Sequence, residues 1–123
     1  MSKTSANQFF PKEIYDAEIR LDVNDDVLER IYSAGVRPTD KLGIEFFFIT
    51  DSQQKAQHLS ERLISDFPSY LDIKVEETED YWEVTGITSI IEMNITEINK
   101  WNQLMWHIGY EYDCQLDGWQ VGT

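Results

Sequence analysis

His58, His107 and Cys114 are the first side chains to test for chemistry in this sequence, because imidazole and thiol groups titrate and bind metals near neutral pH. Two histidines and one cysteine do not complete a four-ligand zinc site of the usual type. Neither histidine has a Ser, Cys or Asp partner at a spacing that makes a nucleophile–base pair. His58 falls on the outer part of a helix beside Gln57 and Arg62, where it is solvated. His107, between Trp106 and Ile108 near a helix C-terminus, reads as structural. Cys114 is flanked by Glu111, Asp113 and Asp117, and nearby anions raise a thiol pKa, so no reactive thiolate is expected. The sequence shows no phosphate loop, paired-carboxylate motif or calcium loop. The expectation is a protein that is not an enzyme, with no catalytic residue, metal ligand or cofactor.

The carboxylates offer a different chemistry. The chain has 123 residues, with 10 Lys and Arg against 23 Asp and Glu, for a formal charge of −13. Residues 63–123 hold 2 basic and 12 acidic groups, a balance of −10. Asp72, Glu76, Glu77, Glu79, Asp80 and Glu83 bracket a single Lys74 across one expected hairpin. Such a run reads either as a solvated edge held soluble by repulsion or as a landing site that steers a basic partner. These six carboxylates are the candidate partner-binding residues. The charge disfavours nucleic acid and anionic membranes, both of which need Lys and Arg. A basic protein partner fits.

Several elements must carry these residues. A hydrophobic content of 41% and an aromatic content of 13% are enough to fill a core, which excludes disorder as the main state. The length suits one domain, expected over 21–123 and preceded by a partly flexible segment over 1–20. Phe9, Phe10, Ile14, Tyr15 and Ile19 are too apolar for a pure tail, so part of that segment should dock. Asn24 is the expected N-cap of a first helix, with Val27, Leu28, Ile31 and Ala34 as its stripe and Gly35 as its end. Leu42 to Ile49 reads as a strand buried on most of both faces, with Phe46 and Phe48, or their neighbour Phe47, under helices rather than stacking on RNA. Asp51 and Gln54 resemble a capping box for the next helix, which carries Ala56, Leu59, Leu63 and Phe67 inward. Leu71, Ile73 and Val75 alternate inward along the following strand, and Tyr81 to Ile90 returns with Trp82 and Val84 on one face. Asn94 starts a last helix, with Ile95, Ile98, Trp101, Met105 and Ile108 as its stripe, ending near Gly109; Gln115 to Thr123 closes as a strand. The order from Leu42 onward predicts an α+β fold, a ferredoxin-like βαββαβ antiparallel sheet with an additional N-terminal helix.

In the last segment, Asp117-Gly118-Trp119 within Tyr112 to Gln120 resembles the terminal signature of the regulator of ribonuclease E activity B (RraB-like) family. Upstream, Val27-Leu28, Gly35, the Ile44 to Phe48 strand, Trp82-Glu83-Val84 and the Ile95 to Ile108 helix are similar to that family in the same order. Leu116 departs from it, standing where the family usually has tyrosine. The signature also has a structural reading: Gly118 for a backbone conformation closed to side chains, Asp117 for local amides, Trp119 as an anchor in the core. The resemblance implies a non-catalytic cytoplasmic regulator that binds a ribonuclease and restrains RNA turnover, with the acidic hairpin meeting an Arg/Lys-rich segment of the nuclease. A single cysteine fits a reducing compartment. The alternative is an immunity protein that neutralises a basic nuclease toxin. Oligomeric state is not read from the sequence.

Overall fold

Along the chain the elements are α1 (Lys12–Ala17), α2 (Val23–Ser33), β1 (Lys41–Leu42), β2 (Glu45–Thr50), α3 (Gln53–Asp66), β3 (Leu71–Glu77), β4 (Trp82–Ile87), β5 (Ile91–Glu92), α4 (Ile95–Glu111) and β6 (Gln115–Gln120), in a computed structural model that describes residues 7–17, 21 and 23–121. The main sheet runs β3-β4-β2-β6, and every neighbouring pair is antiparallel. That is the expected ferredoxin-like arrangement. The additions are two N-terminal helices and a small ribbon in which β1 pairs with β5.

Period-two alternation in β2 sorts the sheet into a covered face and an open one. Phe46, Phe48 and Thr50 are fully buried, together with Val84 of β4, and Leu116 of β6 is nearly so. They form the core with Ala56, Leu59 and Leu63 of α3 and with Ile98, Met105 and Ile108 of α4. Each large aliphatic or aromatic side chain among them contributes about 1.5–3 kcal/mol through burial. Phe46 and Phe48 meet edge to face, 5.7 Å between centroids. Glu45, Phe47 and Ile49 alternate to the opposite face and are only half-buried.

The helix boundaries differ from the sequence reading in instructive ways. Ser52 rather than Asp51 caps α3, its Oγ accepting from the Lys55 amide, while Asp51 instead pairs with the Lys55 ammonium at 2.9 Å. Asn94 caps α4 as expected, accepting from the Glu97 amide at 3.0 Å. Asn24 is no cap: it lies inside α2, completely buried, and its side chain reaches α4 and β6. Helix α4 continues past Gly109 to Glu111, because Gly109 is a contact point rather than a stop. A Cβ there would stand 2.5 Å from the Cys114 carbonyl oxygen and 2.9 Å from the Phe48 ring.

The strands differ too. The expected strand from Leu42 to Ile49 is broken at Gly43-Ile44, so that β1 leaves the main sheet, and β4 ends at Ile87. Leu71 points outward, 60% exposed, not inward with Ile73 and Val75. Between its pairings Leu71 to Ile87 and Lys74 to Thr85, β3 holds one residue more than β4, with Asp72 in the left-handed region at φ 56°. An extra residue reverses the side-chain phase, which moves Leu71 to the other face. Gly118 also departs from its expected role: its φ is not positive, and a Cβ would meet nothing within 4 Å.

The two glycines therefore separate in a simple test. Gly109→Ala is expected to lower unfolding free energy by about 1–3 kcal/mol through overpacking against backbone. Gly118→Ala should stay within about 0.5 kcal/mol of the parent. Urea denaturation followed by tryptophan fluorescence measures both.

Candidate functional site

The six candidate carboxylates do not share one surface. Glu76 faces Glu83 across the β3–β4 pair, on the open face of the sheet. Glu77, one residue on, is opposite Trp82 and belongs to the other face. Glu79 and Asp80 are exposed in the turn, where Thr78 and Tyr81 close a hydrogen-bonded hairpin end. Asp72 sits at the bulge near the far end of β3. Lys74 lies 3.9 Å from Glu76, in the one ion pair the described residues show for the hairpin.

What the structure does assemble is a group of carboxylates on three strands. Glu83 of β4 has Glu76 beside it on β3 and Asp117 beyond β2 on β6. Burial pushes the Glu83 carboxyl above its ordinary pKa, and the charges of Glu76 and Asp117 push it further. Asp117 is the extra residue of a bulge, since Phe47 pairs with Gly118 and Phe48 with Leu116. It is exposed, as is Glu76. The hairpin run pointed to Glu76 and Glu83, but the third carboxylate lies far along the chain and required the strand order.

The two signature tryptophans make contacts within the fold. Trp119 donates its indole N–H to Asn24 Oδ1 at 3.0 Å and stands edge-on to Trp101, 6.4 Å between centroids. Asn24 in turn donates to Asn99 Oδ1 at 2.8 Å and Asn102 Oδ1 at 3.0 Å, so one buried amide joins α2, α4 and β6. Trp82 is half-buried, opposite Thr50 and Glu77, and packs against the core.

Asp113 forms a second buried polar hub. It is non-glycine at φ 58°, and its carboxylate accepts from the backbone amides of Gln8 (3.0 Å), Phe9 (3.1 Å) and Phe10 (2.6 Å). Lys55 Nζ completes the set at 2.6 Å. Burial alone would raise the Asp113 pKa, but Lys55 and the three amides more than offset it and hold it below the ordinary value. Burial alone would lower the Lys55 pKa, but its bonds to Asp113 and Asp51 raise it above the ordinary value. Docking of the N-terminal segment follows. Phe10 is fully buried, 4.8 Å from the Trp106 ring; Tyr15 stacks on Tyr110 at 4.1 Å; and Trp106 donates to the Tyr15 carbonyl. The segment thus lies on α4, on the helical side of the sheet. Of the segment expected to be partly flexible over 1–20, residues 1–6 and 18–20, with Ile19, lie outside the described residues, while Asn7 and Gln8 are hydrogen-bonded to Tyr110 and Asp113.

The remaining titratable side chains have local roles. The Cys114 thiol is buried and donates to the Tyr112 carbonyl, and burial first, then Asp113, pushes its pKa up to about 12. His107 is exposed and meets the Tyr15 hydroxyl through Nδ1 at 3.0 Å. His58 is exposed on α3. Arg62 binds Asp66 and Glu111 and lies over the Tyr112 ring, tying α3 to the end of α4. Among the described residues, no three His, Cys, Asp or Glu side chains converge as metal ligands. No described helix is long and apolar enough to cross a membrane.

Asp113 and Glu83 should leave opposite signatures in stability against pH. A depressed carboxylate contributes stability that is present above its unfolded pKa of about 3.9 and is lost as pH falls through the folded value. Asp113→Asn is therefore expected to cost about 2–3 kcal/mol at pH 7 and to flatten the acid limb. A raised carboxyl works in reverse: its favourable contribution is complete below about pH 4.3 and disappears as pH rises through the folded value. Glu83→Gln should raise the melting temperature at pH 7 and have no effect well below pH 4. Thermal melts from pH 3 to 8 check both.

No curated protein matches the chain. A family model described as regulator of ribonuclease activity B matches residues 21–121. The match runs from Leu21, two residues before α2, through Val121, and so takes in the whole sheet, both covering helices and the Asn24–Trp119 junction. By that span the chain belongs to the RraB family, the regulators of ribonuclease activity B.

Proposed function

We propose that the chain is a non-catalytic regulator that binds a ribonuclease of the ribonuclease E kind in the cytoplasm, inhibits or modulates it, and so alters RNA turnover. The family match over residues 21–121 carries this reading. The charge of −13 supports a protein contact over any direct contact with RNA, since phosphates would be repelled. The partner surface is an Arg/Lys-rich segment of the nuclease, steered by Asp72, Glu76, Glu77, Glu79, Asp80 and Glu83. The domain over 21–123 does the binding.

Charge steering acts on association rate more than on affinity, and salt screens it. Reversal to Lys at Glu76, Glu77, Glu79 and Asp80 is expected to slow association with the host ribonuclease by about tenfold or more at low salt. The variant should stay folded by circular dichroism and should lose most of the salt dependence. Surface plasmon resonance with the purified nuclease, paired with an RNA-cleavage assay, measures both. Unchanged association and unchanged salt dependence would remove the hairpin from the contact. Inhibition of a nuclease toxin, with none of the host enzyme, would turn the reading to an immunity protein.

A further inference from the structure

The helices lie on one side of the sheet, yet apolar side chains stand on both. Phe47, Ile49 and Ile87 are half-buried, and none of them packs against the core cluster. Leu71, moved across by the β3 bulge, joins them at 60% exposure. The register places Leu71 beside Ile87 on adjacent strands, Ile87 at the level of Glu45, and Phe47 and Ile49 further along β2. They make a diagonal apolar stripe over three neighbouring strands. Gly118, with open space where a side chain would be, borders it opposite Phe47.

The stripe's dimensions and its border together specify an occupant. Strands are about 4.7–4.9 Å apart, so three of them span about 10 Å, close to the roughly 10–12 Å diameter of a helix with its side chains. A two-layer α/β unit with an apolar outer face is completed by a helical layer. Around the Ile49 end stand Glu76, Glu83 and Asp117, and Glu45 flanks Phe47; against these four carboxylates the face carries Lys74, 3.9 Å from Glu76. Glu76 and Glu83 are directly opposite each other, and like charges so placed destabilise a sheet pair. A cation laid between them removes that repulsion. A second copy of this chain, at −13, would add to it.

We propose that the open face of the sheet docks a basic amphipathic helix of a protein partner, its apolar stripe on Phe47, Ile49 and Ile87 and its flanking Arg or Lys side chains over Glu76, Glu83 and Asp117. This deepens the ribonuclease-regulator reading and rests on it for the partner's identity. It moves the contact from the hairpin turn to the sheet, and it requires apolar groups in the partner segment as well as charge.

The probe is a synthetic peptide of about 14 residues, roughly four helical turns, with Leu at helical spacing and Arg on either side, compared with a scrambled peptide of the same composition. Binding to the full chain is measured by fluorescence anisotropy and mapped by amide chemical shifts. The patterned peptide is expected to bind about tenfold more tightly than the scrambled one, and Phe47→Thr should remove about that factor, as loss of one buried large side chain implies. Shifts should centre on Phe47, Ile49, Glu83 and Asp117. Glu83→Gln with Asp117→Asn leaves the apolar stripe intact and should weaken both peptides at low salt, which keeps the test decisive if Phe47→Thr unfolds. Equal affinity for the two peptides, or shifts gathered on the Thr78–Asp80 turn, would overturn the proposal. Capture of the patterned peptide on this face, without any effect on the ribonuclease, would uphold the docking surface and defeat the ribonuclease reading.

Discussion

The alternation of β2 governs this molecule. The strand pairs with β4 on one side and β6 on the other, so its six residues fix which side of the sheet every neighbour presents. Phe46, Phe48 and Thr50 commit one face to the helices, and the close approach of Gly109 to Phe48 lets α4 settle there. Phe47 and Ile49 are then left on a face that no described helix covers. A slip of one residue would exchange the two sets and place Glu45 in the core, which is why burial holds the register so firmly.

Two buried polar hubs attach the N-terminal additions to this sheet. Asn24 ties α2 to α4 and β6, and Asp113 gathers three successive amides of the N-terminal segment together with Lys55. Removal of either hub side chain would leave buried donors without acceptors, a heavier loss than the net value of the bonds themselves. Both hubs therefore act as specificity devices: the segment packs on α4 in the one register that satisfies its amides. The αL conformation of Asp113 is part of the same arrangement, since it turns the chain between α4 and β6 while aiming the carboxylate at the incoming backbone.

Periodicity made the sheet order and the two covering helices legible in the sequence. Ile95, Ile98, Trp101, Met105 and Ile108 mark α4, whereas the Phe46-Phe47-Phe48 run, apolar throughout, does not say which of its residues face the helices. The hubs were not legible, because a buried asparagine looks like a cap and a buried aspartate looks like any other carboxylate until distant elements meet. Leu71 was misplaced because a bulge leaves no mark in an apolar–polar pattern. The candidate site was half legible. The density of acids along the hairpin pointed to Glu76 and Glu83, whereas Asp117 joined them only through the β4-β2-β6 order. Phe47 did carry a signal: a strand apolar on both faces, in a fold with one helical layer, must leave apolar groups outside.

That excess connects stability with function. Glu76 opposite Glu83 and a half-exposed Phe47 beside Gly118 are each poor choices for the isolated domain, since like charges repel and apolar surface stays wet. Either alone has a local explanation. Together they describe one surface whose two defects, negative charge in excess of its one lysine and uncovered apolar area, are relieved by the same kind of object. A sheet shaped only for its own stability would place Lys or Thr where Glu83 and Phe47 stand. Among the described residues, Lys74 alone lies near Glu76 on this face, at 3.9 Å, while Lys55 is held by Asp113 and Arg62 by Asp66 and Glu111. The negative charge of the second half of the chain is thereby concentrated on the strands and the hairpin, where a basic partner meets it beside an apolar floor.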